Sequence, residues 1–172
     1  MSLHSVSIPV FVQLINSAQH MLDKVIAHCA AKKIDQATLL NDRVFPDMFP
    51  LVRQFQYIAD HSSGACLRLA GQDAPVPPRE ETTFDALKER LAKALAIVES
   101  VSAADVDAHA DKDITFSMGP RQVTMRGREY MLHFAMPNFY FHTTTAYNIL
   151  RHRGVEVGKR DFLGVIPGFP AA

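Results

Sequence analysis

Apolar residues recur at three- and four-residue spacing through the first thirty or so positions of the chain. Between Val10 and Ile26 this spacing places the apolar side chains on one face of a helix. Ser7 is predicted to cap the helix, and Pro9 is tolerated in its first turn. The helix should run to about Ala31.

Two further amphipathic runs predict a second and a third helix. Residues 51–69 repeat the same spacing, with Asp47 as the predicted N-cap and Gly71 as the end. Residues 84–98 repeat it again, after a proline-rich loop, and Thr82 is the predicted N-cap. Residues 100–112 are polar and rich in alanine, which predicts a turn or a single helical turn.

Two short β-prone runs lie before the last long helix. Residues 114–118 and 123–125 flank Gly119 and Pro120, a pattern that predicts a small hairpin. Because an isolated two-stranded hairpin is only marginally stable, we expect this one to pack against the helices.

A fourth amphipathic pattern surrounds Pro137, and the residues before it already favour a helix, so a bend is predicted there. Cationic side chains occupy the last turn, and Gly154 supplies a left-handed residue that ends the helix. The tail that follows carries apolar residues among glycines and prolines. We expect it to pack on the bundle or on a second subunit.

His142 lies in the middle of the apolar stripe of this fourth helix. Its neighbours on the stripe are Phe139 and Ala146, so the imidazole should point toward the core. A buried imidazole needs partners for its ring nitrogens. Two interpretations follow: a core histidine held by a side chain of a neighbouring helix, or a metal ligand.

Composition narrows the class of protein. The 172 residues, 48% of them hydrophobic, suffice for one domain spanning 1–172. Eighteen basic residues balance eighteen acidic ones without a basic run, which argues against binding to nucleic acid. A leader pattern and a long apolar run are both missing, so a cytoplasmic protein outside the membrane is expected. Cys29 and Cys66 are predicted to be buried free thiols.

Three amphipathic helices, a hairpin and a fourth helix together predict an all-α, up-down four-helix bundle with a small β-hairpin before the last helix. Two segments carry a closer resemblance: PDMFPLVRQFQYIADH at 46–61 and PNFYFHTTTAYNILRHRGVEVGKRDFLG at 137–164. They resemble the DinB/YfiT-like superfamily of metalloenzymes, and within it a bacterial family of unknown function. The resemblance covers essentially the whole chain.

The resemblance implies a divalent metal, zinc or nickel, held by three histidines. His61 matches the ligand on the second helix, and His152, followed by Arg-Gly, matches the last ligand. Asn148 stands where the remaining histidine would be. Because an amide oxygen is a poor substitute for imidazole on these ions, the site is predicted to be degenerate. His142 cannot complete the set with His152, since ten residues of helix span ~15 Å.

Three functions follow as hypotheses. The first is a bundle that binds a small molecule without a metal, in a polar pocket lined by Asp60, Asn138, Tyr140, His142 and Tyr147. We favour this function, while the reaction and the substrate stay open. The usual cofactor motifs, such as a phosphate loop or a dinucleotide fingerprint, are absent from the sequence.

The second hypothesis is a metal-dependent hydrolase or thiol S-transferase, in which a divalent ion on His61, Asn148 and His152 activates water or a thiol. Tyr147 or Arg151 would lie nearby. The third is an interaction role through a homodimer, which the apolar tail predicts and which is compatible with either of the others.

Overall fold

The computed structural model describes residues 2–169, and its first element is the 30-residue helix α1 (Leu3–Lys32). The hydroxyl of Ser2 caps it by accepting a hydrogen bond from the N–H of Ser5. The predicted cap, Ser7, was therefore wrong: Ser7 is buried inside the helix and donates to the carbonyl of Leu3 (2.7 Å). Pro9 is exposed and lies two turns inside the helix, so the prediction that placed it in the first turn was wrong as well.

A short helix, α2 (Gln36–Leu40), lies in the connection between the first two long helices, and Asp35 caps it. The next long helix, α3 (Leu51–Leu69), begins four residues after the predicted cap Asp47, with Pro50 at the N-cap position. The start of α3 is fixed by a local contact, because the N–H of Leu51 donates to the carbonyl of Asp42 (2.8 Å), which follows the end of α2.

The third long helix, α4 (Phe84–Ser100), is capped by Thr83, whose hydroxyl accepts from the N–H of Ala86 (3.1 Å). The predicted cap, Thr82, was one residue early. A single short helix follows, α5 (Ala103–Ala108), within the stretch for which one helical turn was anticipated.

The hairpin is formed by β1 (Asp113–Met118) and β2 (Arg121–Arg126), which pair antiparallel. Ile114 and Phe116 are buried, while Asp113, Thr115 and Ser117, which alternate with them, are exposed. One face of the hairpin therefore packs against the helices, and the predicted hairpin before the last long helix is confirmed.

A continuous helical segment leads from the hairpin into the last long helix. It consists of α6 (Gly127–Glu129), a π-helix (Tyr130–Ala135) and α7 (Met136–His152). Within the π-helix the N–H of Met136 reaches back five residues to the carbonyl of Met131. This wider turn directly precedes Pro137, which has no N–H to donate. The helix thus passes through the proline, as the apolar pattern predicted.

The helices α1, α3, α4 and α7 form the predicted four-helix bundle. α3 lies against both α4 and α7, and α1 lies against α4. The largest fully buried side chains of the bundle include Phe11, Phe55, Phe84 and Phe139.

Cys29 and Cys66 are buried and unpaired, and burial raises the pKa of the Cys66 thiol to about 12. Among the residues that the structure describes, none of the helices has the length and apolar character of a membrane span.

Beyond α7 the chain returns to α1 through a last helix, α8 (Lys159–Leu163). Gly154, at φ +80°, closes α7, and the N–H of Val155 bonds back to the carbonyl of Leu150 (3.1 Å). Phe162 packs edge-on against Tyr147. The tail therefore packs on the bundle through α8, as predicted, whereas Val165 and Phe169 beyond it are exposed; residues 170–172 lie outside the described part of the chain.

Replacing Gly127 with alanine should destabilise the fold by about 2 to 3 kcal/mol, the usual cost of overpacking. An added Cβ would lie 2.2 Å from the carbonyl oxygen of His109 and 2.9 Å from Leu69, so backbone must shift at the hairpin–helix junction. Gly158→Ala is the control, because its Cβ would meet only one atom, at 3.9 Å. Urea unfolding measures the free energy of unfolding of both variants, and equal values for the two would contradict the prediction.

Candidate site of histidine and tyrosine rings

Three polar residues of α3 face the last helix. Gln54, Tyr57 and His61 stand three and four positions apart, so they follow one another along a single side of α3. α3 packs against α7, and this side meets His142 in the first half of α7. The site is therefore built where two bundle helices cross.

Three rings stack against one another at this crossing. The ring centroids of Tyr57 and His142 are 4.6 Å apart, those of His61 and His142 5.5 Å, and those of Tyr57 and His61 5.7 Å. The planes differ by no more than 26°. The His61 ring also meets Phe134 of the π-helix edge to face, at 6.1 Å. The π-helix thus supplies one wall of the site.

Gln54 determines which nitrogen of His142 carries the proton. Its amide nitrogen donates to the carbonyl of Phe49 (2.8 Å), which orients its amide oxygen toward Nδ1 of His142, also at 2.8 Å. An oxygen can only accept, so Nδ1 of a neutral His142 must be the donor. Nε2 then carries a lone pair that can accept a proton or a hydrogen bond from a bound molecule.

Both imidazoles are held in the neutral form. Burial lowers the pKa of His61 to about 4; the Asp60 carboxylate opposes this, whereas Arg68 and Arg79 add to it. Burial lowers the pKa of His142 to about 3, and His61 contributes in the same direction. At neutral pH the site therefore presents two uncharged rings, each of which can donate one hydrogen bond and accept another.

A network of buried charges supports the site from the α4 side. Asp60 pairs with Arg79 (2.7 Å) and with Arg90 of α4 (2.6 Å), and Arg90 also pairs with Glu81 (2.7 Å). Burial by itself would raise the pKa of Glu81, but hydrogen bonds from Arg90 and Gln56 lower it overall. Burial opposes the charge on Arg90 as well, but its hydrogen bonds to Asp60 and Glu81 raise its pKa.

Arg79 connects this network to the rings. Its guanidinium carbon lies 4.6 Å from the centroid of the Tyr57 ring, while one of its nitrogens is bound to Asp60. A cation over an aromatic face is a favourable arrangement. Asp60 thereby fixes Arg79, and Arg79 covers one face of Tyr57.

Exposed aromatic side chains border the site. Phe49 is 50% exposed and lies 5.3 Å from Tyr57, and Phe141 is 54% exposed and lies edge-on to His142 at 5.2 Å. We call Phe49 and Phe141 the aromatic rim. Large exposed apolar side chains beside a polar cluster are typical of a binding surface.

The comparisons with known proteins agree with this architecture. A family model described as a domain of unknown function, DUF1993, matches residues 3–163. The chain belongs to the DUF1993 family. It is also similar to a solved structure, a DinB family member protein from Shewanella denitrificans, with 39% sequence identity and a TM-score of 0.87 over 99% of this chain and 96% of that one. The DinB-like resemblance is therefore confirmed. No curated protein matches the chain.

In this DUF1993 protein only some of the residues proposed for a small-molecule pocket surround the rings. Asp60 supports the site through Arg79, and His142 is at its centre. The side chain of Asn138 donates to the carbonyl of Phe134 (2.7 Å) at the end of the π-helix. Tyr147 packs instead against Phe162 of the returning tail.

The residues proposed as metal ligands are distributed along the bundle. His61 stacks on His142, from which His152 is separated by ten residues, ~15 Å of helix. Asn148 and His152 are exposed. Arg153 has a structural contact, because it pairs with Asp42 in the loop before α3. The Arg-Gly sequence after His152 thus anchors the end of α7.

Sequence reasoning missed Gln54, Tyr57 and Arg79. For the first two a signal existed, since together with His61 they repeat every three or four residues along one side of α3. For Arg79 no local signal exists. It belongs to the proline-rich loop, and only the fold brings it to Asp60.

Proposed function

We propose that this DUF1993 protein binds a small planar molecule at the stacked rings of Tyr57, His61 and His142. The observation that carries the proposal is the fixed tautomer of His142, which leaves Nε2 with a lone pair on a ring that stacks with Tyr57 and His61 and borders the aromatic rim. Ligand sites of this kind combine apolar and aromatic walls with a few oriented polar groups.

The ligand should combine a flat ring with at least one N–H or O–H group. The rim residues Phe49 and Phe141 offer apolar faces and edges for the ring. Nε2 of His142 accepts the hydrogen bond, and His61 can donate or accept another. Because both imidazoles are neutral, they repel neither an uncharged ligand nor a cationic one.

The test is a screen of planar aromatic fragments by NMR on protein labelled with ¹⁵N, recording the imidazole nitrogens. The expected hits shift the Nε2 resonance of His142 and bind about tenfold more weakly to His61→Phe, which keeps a ring but removes one hydrogen-bonding partner. His133→Gln, at an exposed position of the π-helix, is the matched control and should bind like the original protein.

Fragments that bind equally well to His61→Phe and to the control would contradict the proposal. So would a complete lack of hits that shift the His142 resonance. Circular dichroism of each variant separates loss of binding from loss of fold.

The alternative, a metal-dependent hydrolase or thiol S-transferase, requires a ligand set that the site does not complete. Within residues 2–169 no group of three or more His, Cys, Asp or Glu side chains is placed to hold a metal ion. Catalytic zinc sites commonly use three protein ligands, whereas the rings here supply two imidazoles, and Asp60 is bound by two arginines. The proposal therefore involves no metal. One equivalent of zinc or nickel in untagged protein, lost in His61→Phe, would favour the alternative.

A further inference from the structure

A second candidate site lies between α1 and the returning tail. Here a groove of about 770 Å³ runs along the first half of α1. Aliphatic side chains line one part of it, namely Ile8, Pro9, Val12, Val165 and Pro167, and polar side chains line the rest, namely Gln13, Asn16, Ser17, His20, Arg160 and Asp161. The volume falls within the range of small-molecule sites. We call this space the tail groove.

The wall contributed by the tail is held in place by polar contacts. The Ser17 hydroxyl contacts the carbonyl oxygens of Asp161 and Phe162 (2.5 and 2.7 Å), and the Gln13 amide donates to that of Leu163 (2.7 Å). These bonds join the middle of α1 to α8. The start of the tail is therefore fixed against α1, up to Leu163.

Val165 shows that this wall lacks a partner in the monomer. Its side chain lines the groove and is nevertheless 87% exposed. An aliphatic surface of this kind is stabilised when an apolar group covers it. Apart from the exposed imidazole of His20, the described lining side chains are not aromatic, in contrast to the rim around His142, so a flexible alkyl chain fits the aliphatic part of the walls better than a flat ring does.

Charge at one end of the groove favours an anion. Asp161 is neutralised by Lys24 (2.7 Å) and contacts His20 (2.9 Å). Arg160 lines the groove, and its guanidinium forms no ion pair with any residue from 2 to 169. Within residues 2–169 the positive charge of Arg160 therefore has no ion-pair partner, and it lies beside aliphatic lining residues.

We propose that the tail groove binds an aliphatic carboxylate, with the alkyl chain along Val12 and Val165 and the carboxylate at Arg160. Guanidinium and carboxylate form charge-assisted hydrogen bonds, often two in parallel. Burial of the chain against the aliphatic walls supplies the remaining affinity. This site is independent of the rings around His142.

Titration calorimetry with sodium dodecanoate tests the proposal. Saturable binding of one molecule per chain is expected, with the negative heat-capacity change that marks apolar burial. Arg160→Gln should weaken binding about threefold to tenfold, and Lys159→Gln, which removes the neighbouring exposed cation outside the groove, should leave it unchanged. Val165→Asp should weaken it more, since it places a negative charge in the apolar wall.

Reversal of the charge sharpens the test. Arg160→Glu should reverse the head-group preference, so that dodecyltrimethylammonium binds better than dodecanoate. The proposal is overturned if dodecanoate does not bind saturably, or if its affinity is the same in Arg160→Gln and Lys159→Gln. It is also overturned if light scattering shows a dimer that Val165→Asp dissociates and that excludes dodecanoate, because a second copy would then occupy the groove.

Discussion

Replacing Arg90 with methionine is expected to lower the free energy of unfolding by about 3 kcal/mol, the lower end of the cost of breaking a buried ion pair. Arg90 is 7% exposed and joins Asp60 to Glu81. Methionine fills much of the same volume but leaves Glu81 with Gln56 as its remaining side-chain partner and Asp60 with Arg79. Two largely buried carboxylates then lose a shared cation.

Lys93→Met is the matched control, since it removes an exposed cation from the same helix, three residues further along. Urea unfolding at neutral pH should show a change of less than about 0.5 kcal/mol for this variant, as is usual at exposed positions. A similar small change for Arg90→Met would show that the network contributes little to stability.

The network also determines how the rings are held. Asp60 receives one arginine from α4 and one from the proline-rich loop, and the loop arginine, Arg79, lies over Tyr57. Without Arg90, Asp60 would be free to follow Arg79 away from the ring. Weaker fragment binding in Arg90→Met than in Lys93→Met would be consistent with this coupling.

The bundle itself could be predicted because each long helix repeats its apolar residues every three or four positions over several turns. The starts of the helices could not be predicted to the residue, since chemically similar caps compete. Ser2 and Ser7 are both acceptable N-caps, and in the structure Ser2 caps the helix while the Ser7 hydroxyl donates to the carbonyl of Leu3 inside it. Asp47 is not the N-cap of α3, because the N–H of Leu51 donates to the carbonyl of Asp42 across the loop and the helix begins at Leu51.

The candidate site was predictable only in part, for a physical reason. His61 and His142 each stand out in the sequence, but their stacking depends on how α3 crosses α7, which no local pattern specifies. Gln54 determines the tautomer of His142 across 88 positions of sequence. The resemblance directed attention to His152 as a ligand, while in the structure His142 meets His61 and the Arg-Gly that follows His152 fastens the helix end.

Acidification from pH 6.5 to pH 5 should destabilise the protein by about 1.6 kcal/mol for each of the two rings, and by somewhat less for the partly exposed His61. In the unfolded chain both histidines titrate near the ordinary pKa of about 6.5. In the folded chain burial lowers these pKa values to about 4 for His61 and about 3 for His142. Between the two limits the unfolded chain binds protons that the folded chain does not, so stability falls as the pH falls. Above about pH 7.5 neither state binds protons at these rings, and their contribution is constant.

The window from pH 6.5 to 5 separates this effect from the carboxylates. The pKa of Asp161 is about 2, because hydrogen bonds from Lys24, Gly158 and His20 outweigh its burial, so its contribution to stability is lost mainly below pH 4. Urea unfolding at several pH values gives the slope of the free energy of unfolding against pH. This slope should fall by about half in His61→Phe. His133→Gln removes an exposed imidazole and controls for the loss of a histidine. A flat profile in the original protein would mean that the rings gain protons in the folded state, and the neutral acceptor assigned to His142 Nε2 would then be untenable.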